Sequence, residues 1–364
     1  MKGTWLCAAI AAALALAGCK PMGMEQKTVA ELTKSMRTIC IGRHLIGLPE
    51  TFRQNYRSSS VTLYFGHDAD FETVEAQVVN DDVEPEQFAS SMKQRRAEIS
   101  GEINEKTQDS MLLLEEGVGE NGVLIRYHKS DISNRSHIHE LHLLVSGVQV
   151  FMKAESYNGV IEPVENRLKK LAASVQAVPD PKSAGAGFCL GPVVIDANND
   201  YELAAFRFRD ESRAHRDVSL DVELNTFKQD VSEPRLIRRV ETNFSGLGFS
   251  PKTLRKERAE FAGMPAEEWL GSHESDGRIE HSFSIESYPA SPALASPVLQ
   301  LQLMTGGAVP NQPTTGLPPY GRPSRAPGAG QIEEVGSSLT DDEAVGVWDR
   351  IVKSVRPRPN AVKS

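Results

Sequence analysis

The sequence passes through the same pattern twice. Cys40-Ile41-Gly42 is echoed by Cys189-Leu190-Gly191, and each triplet leads into an apolar run. Each half then mixes strand-like and helix-like periods and closes on a helical stretch with a similar ending. These endings are Ala173-Ser174-Val175 ahead of Pro179, and Lys353-Ser354-Val355 ahead of Pro357. From Cys40 to Ser174 is 134 residues and from Cys189 to Ser354 is 165; the excess of 31 fits a segment over 289–330 that the first half lacks. A repeat of this kind points to an α+β fold of two similar tandem domains, each an antiparallel sheet with a central and a closing helix. At about 100–200 residues per domain, 364 residues accommodate two, each large enough for its own core.

The periodicities place the elements. Residues 25–36 suit a weakly amphipathic helix, with Val29, Leu32 and Met36 on one face, and 40–49 a first strand stopped by Pro49. Strands are expected over 61–65 and 72–79, then a helix over 86–99 begun by Pro85, whose missing N–H suits a helix start. A meander follows over 111–115, 122–128, 138–145 and 148–154. A helix over 162–177 closes the half, carrying Val164, Leu168, Leu171 and Val175 on one stripe. The second half repeats this with strands over 201–209 and 218–227, a helix over 234–244, and a meander over 254–261, 267–272, 278–287 and 298–304. Its closing helix over 341–355 turns Val345, Trp348, Ile351 and Val355 inward. The domains are thus expected over 36–178 and 188–358, joined by a linker over 179–187 rich in Pro, Gly and Ala. Six Pro and six Gly crowd residues 306–330, a composition for loop or polyproline conformation. Leu317-Pro318-Pro319-Tyr320 within it is the one candidate partner-contact loop, set against a plain flexible insert.

The N-terminus bears on compartment. Lys2 and the apolar stretch over 5–16 have the build of a secretory signal, too short for a mature membrane span. It ends in Leu16-Ala17-Gly18-Cys19, which resembles the bacterial lipobox. The resemblance implies a signal peptide over 1–18, acylation of Cys19, and an anchor and tether over 19–35. Lys20 stands where inner-membrane retention usually places Asp. The expected location is therefore periplasmic, lipid-anchored in the inner leaflet of the outer membrane. Removing Cys7 with the signal and assigning Cys19 to lipid leaves Cys40 and Cys189. In an oxidising compartment they either pair, a long loop whose closure contributes about 5 kcal/mol, or stay as two separate buried thiols.

Chemistry is harder to find. A net charge of -9 and only 6% aromatic residues argue against nucleic acid as a partner. Only the N-terminus has a long apolar run, which excludes a multi-pass membrane protein. There is no Gly-x-Ser-x-Gly elbow, phosphate loop, dinucleotide fingerprint or EF-hand series. No catalytic residue, cofactor or metal is therefore assigned. In His137-Ile138-His139-Glu140-Leu141-His142, the first two histidines share a strand face that suits zinc or copper. An exposed polar strand face is the favoured account. Arg95-Arg96 and Arg235 with Arg238-Arg239 are expected on solvated helix faces, and Trp269 and Trp348 in cores.

Four features in order resemble one family. They are the lipobox; Arg37-Thr38-Ile39-Cys40-Ile41-Gly42-Arg43 running into Leu48-Pro49; Phe188-Cys189-Leu190-Gly191 followed by Glu202; and Trp348-Asp349 with Ser354-Val355-Arg356-Pro357-Arg358-Pro359. Together they are similar to the periplasmic immunity proteins that neutralise the fourth class of type VI secretion lipase effectors. Gly47 departs from the pattern, which usually has an acidic residue before Leu-Pro. The resemblance implies a non-enzymatic inhibitor that grips a cognate secreted phospholipase, occludes its active site and protects the cell and its kin. The motif residues would then be structural, with contacts on loops between the domains. The alternatives are an envelope lipoprotein with a structural or ligand-carrying role, or a hydrolase with an unmarked active site.

Overall fold

Gly42 turns the first apolar run back on itself. The computed structural model describes residues 24–66, 71–227, 233–247, 251–310 and 332–363. In it, α1 (Met24–Leu32) precedes β1 (Met36–Gly42) and β2 (His44–Pro49), which pair from Ile41–His44 out to Met36–Pro49. Gly42 lies at φ +54°, a left-handed conformation that glycine adopts without steric cost. The single strand expected over 40–49 is therefore a hairpin. The first helix stops at Leu32 because Met36 is taken into that ladder.

The first half continues with β3 (Phe52–Gln54), β4 (Ser60–Phe65), β5 (Glu72–Asn80), α2 (Pro85–Ser100), β6 (Leu112–Gly117), β7 (Gly122–Ser130), β8 (Ser133–Val145), β9 (Val148–Tyr157), α3 (Ile161–Ser174) and β10 (Val175–Ala177). The second opens on β11 (Phe188–Leu190) and β12 (Val193–Ile195). After these come β13 (Tyr201–Asp210), β14 (Ser219–Asn225), α4 (Leu236–Leu247), β15 (Lys252–Phe261), β16 (Met264–Ser275), β17 (Arg278–Ser287) and β18 (Val298–Thr305). It ends with β19 (Gly307–Pro310), β20 (Ile332–Val335), α5 (Asp341–Ser354) and β21 (Arg356–Pro357). The fold is mixed α+β, built mostly of antiparallel sheet with few helices. The start of the Pro/Gly-rich insert is not structureless, since β19 pairs with β20.

The duplication is written into the strand order. The large sheet reads β15-β16-β17-β18-β14-β13-β4-β5-β9-β8-β7-β6, with β3 alongside β13. Outward from the β4–β13 seam, both halves follow the same path: β4-β5-β9-β8-β7-β6 on one side and β13-β14-β18-β17-β16-β15 on the other. The smaller sheet is symmetric too, in the order β10-β12-β11-β1-β2-β21. Here the last strand of each half pairs with the opening hairpin of the other half: β10 with β12, β21 with β2. The closing helices were expected to reach residues 177 and 355. They end at Ser174 and Ser354 because the next residues are drawn into these ladders.

The halves consequently do not keep separate cores. One apolar cluster includes Ile41, Leu63 and Leu168 of the first half with Phe206, Leu220 and Trp348 of the second. Burial alternates along β4, β13 and β14, so one face of the central strands is covered and the other is open. The small sheet, α3 and α5 lie on the covered face. On the opposite face α2 and α4 sit towards the outer strands, and no described helix covers the middle.

Candidate functional site

The family-like motifs converge on the junction between the two halves. Cys40 and Cys189, fully buried on β1 and β11, are joined by a disulfide with Cα atoms 5.7 Å apart. The register there is symmetric, with Ile41 opposite Leu190 and Gly42 opposite Cys189. Arg43, in the turn after β1, donates from Nη2 and Nε to Glu202 Oε1 at 2.6 and 2.8 Å, both residues being buried. Asn199 Nδ2 also donates to Glu202, at 3.1 Å. Burial outweighs these contacts and pushes the Glu202 carboxyl above its usual range. Arg358 donates to the carbonyls of Ala184, Gly185 and Gly187, tying the C-terminus to the linker. His44 is 1% exposed with neither ring nitrogen hydrogen-bonded; burial and the Arg358 charge lower its pKa to about 4.

The remaining motifs fasten the last helix. Trp348 Nε1 donates to Glu268 Oε1 at 2.7 Å, and Arg255 bridges Glu268 and Asp349. Trp348 and Trp269 are buried, as their setting in the sequence suggests. Gly47 N–H donates to Ser354 Oγ at 2.7 Å, and a Cβ at Gly47 would meet the Ser354 Cβ at 3.1 Å. Helix α5 thus approaches Gly47 closely.

The histidine run on β8 is not an exposed polar face. His137, His139, Glu140 and His142 are all buried. The strand is covered on both sides, by α2 through Arg95 against one face and by α3 against the other. Arg95 of α2 forms a bidentate pair with Glu140, at 3.0 and 2.7 Å, joined by the Tyr127 hydroxyl at 2.8 Å. Burial alone would raise the Glu140 pKa, but hydrogen bonds from His142 and Arg95 hold it at about 2. On the other face Arg126 donates to Glu165 of α3 at 2.7 Å, and His139 contacts the Ser156 hydroxyl at 2.8 Å. Burial and the nearby Arg126 lower the His139 pKa to about 4. Among the described residues, no group of three or more His, Cys, Asp or Glu is arranged to hold a metal. Arg95 is therefore an internal clamp rather than a solvated cation. Arg239 plays the same part in the second half, pairing with Glu286.

Two small pockets, at Leu32 and at Gln54, each leave about 10 Å³, room for roughly one water. What stands out is a surface feature at the seam. Tyr64 of β4 lies opposite Tyr201 of β13 on the bare face. Phe71 and Phe227 close on this pair, with ring centroids 4.6 to 5.8 Å apart in stacked and edge-to-face contacts. Phe71 is 36% exposed, and Leu203, next along the same face, is 42% exposed. Sequence reading missed this patch, since its residues are scattered from 64 to 227 and meet only across the seam. Cys19 and the loop Leu317, Pro318, Pro319, Tyr320 lie outside the described residues. No described helix is long and apolar enough to cross a membrane.

Residues 181–360 match the family model described as Tle cognate immunity protein 4 C-terminal domain. No curated protein sequence matches the chain significantly. Among solved structures, the chain is similar to the apo immunity protein TplEi of the type VI secretion system from Pseudomonas aeruginosa. The TM-score is 0.64 at 20% identity, covering 90% of this chain and 99% of that one. The crystal structure of the Tle4-Tli4 complex gives TM-score 0.64 at 19% identity with the same coverage. TplEi complexed with a peptide called "L" gives 0.58 at 20% identity, again over 90% and 99%. These likenesses establish a shared fold over nearly the whole chain.

Proposed function

We propose that this protein, whose C-terminal half matches the immunity family and whose fold is that of solved type VI immunity proteins, is itself an immunity protein. It binds a cognate secreted phospholipase in the periplasm and occludes its active-site cleft, protecting the producing cell and its kin. The observation that carries this reading is the fold likeness over 90% of the chain to an immunity protein solved alone, together with the family match over 181–360. A relative solved in a Tle4-Tli4 complex supports action by binding a partner.

The chemistry of the chain agrees with binding rather than turnover. Several of its buried ionisable groups fasten elements together: Arg95 with Glu140, Arg255 with Glu268 and Asp349, and Arg43 with Glu202. Acylation at Cys19 would hold the body at the inner leaflet of the outer membrane, where a phospholipase must act. The Cys40–Cys189 disulfide suits such an oxidising compartment. The test is to direct a candidate lipase, if one is encoded beside this gene, to the periplasm, with and without this protein. Growth only in its presence, with the two co-purifying, is expected; lysis despite abundant immunity protein would refute the reading.

A further inference from the structure

We propose that the aromatic patch at the seam of the two halves is the docking surface for the apolar, acyl-binding mouth of the lipase. This inference rests on the proposed immunity function and locates it on the molecule.

Soluble proteins rarely leave stacked aromatic rings and a large aliphatic side chain together in solvent, and interface centres are enriched in such groups. Tyr64, Phe71, Tyr201, Leu203 and Phe227 form such a cluster on the uncovered face. The patch straddles the junction, so an occupant centred on it is met by both halves. Among the described residues nearby, Glu75 pairs with Lys153, and Arg207 with Asp221 and Glu223. A partner recognised here must therefore present apolar surface more than charge. A lipase has such a surface where acyl chains enter.

A bilayer is the rival apolar occupant, and the course of the N-terminal chain argues against it. Only a few residues separate Cys19 from the start of α1 at Met24, a reach of at most ~18 Å. Helix α1 lies along α5, with Val29 against Gly346, and Leu32 shares a small cavity with Val347 and Asp210. Asp210 ends β13, whose first residue Tyr201 belongs to the patch, so ten residues or roughly 30 Å of strand separate the two places. Moreover α5 packs on the covered face through Trp348 and Phe283, whereas the patch occupies the other. Helix α1, from which the tether leaves, therefore lies on the side of the sheet opposite the patch.

The test measures binding of the full chain, solubilised in detergent, to a purified candidate cognate lipase. Leu203→Arg and Phe71→Ser are compared with wild type and with Ile279→Arg, an exposed apolar position elsewhere. Both patch variants are expected to weaken the Kd at least tenfold with unchanged melting temperature, while Ile279→Arg binds as wild type. Wild-type affinity in both patch variants would overturn the assignment and leave the immunity reading intact. No binding by the wild type would instead remove both. Loss of retention on phosphatidylethanolamine–phosphatidylglycerol vesicles, with lipase affinity preserved, would give the patch to the bilayer and overturn the proposal.

Discussion

Arg43 and Glu202 sit on opposite sides of the duplication, yet they form one buried ion pair. Buried ion pairs add little net stability when intact, but removing one partner strands an uncompensated charge and typically costs 3–5 kcal/mol. Arg43→Met is accordingly expected to lower unfolding free energy by about 3–5 kcal/mol in urea titrations. Arg43→Met combined with Glu202→Leu should recover part of that loss. The buried histidines set an acid limit. His44 and His139 titrate near 4 in the folded chain and at the ordinary 6.5 when unfolded, so the unfolded state binds protons first. Their stabilising contribution is complete above pH 6.5 and is lost as pH falls towards 4. Each lowers stability by up to ~3 kcal/mol across that window. His44→Leu should flatten the acid limb of a stability–pH curve; an unchanged limb would contradict this account of His44.

Much of the element pattern is legible in the sequence, and its failures share one cause. The stripe of Val164, Leu168 and Leu171 and the alternation along β13 and β14 identify a helix and two strands, because each is decided by local spacing. The helix ends at Ser174 and Ser354 are not legible, since Val175 and Arg356 leave the helix only to pair with strands from the other half. The burial of His137 and His139 escapes local reading for the same reason: a polar strand looks exposed until helices on both faces are known. Arg95, spaced like a surface residue, meets Glu140 45 positions away. Pairing of Cys40 with Cys189 is likewise a long-range matter. The disulfide closes a loop of 149 residues across the junction, worth about 5 kcal/mol by loop-closure entropy. Reduction, or Cys40→Ser with Cys189→Ser, should lower the melting temperature. Two free thiols in unreduced mature protein, found by mass spectrometry, would contradict the bond.

At the scale of the molecule, exchange of the closing strands and continuity of the large sheet across β4–β13 make the two halves one body. Unfolding is expected to be a single cooperative transition, because neither half completes its small sheet alone. Two separated calorimetric transitions would contradict this. The same junction brings the aromatic patch into existence, which explains why no single half of the sequence announces a binding surface. The central claim is that this body silences a phospholipase by covering it. Its most direct test is hydrolysis of phospholipid vesicles by a candidate cognate lipase, titrated with this protein. The account predicts that activity falls to baseline at a one-to-one ratio and that the protein alone releases no fatty acid. Full lipase activity at saturation, or turnover by this chain alone, would contradict it.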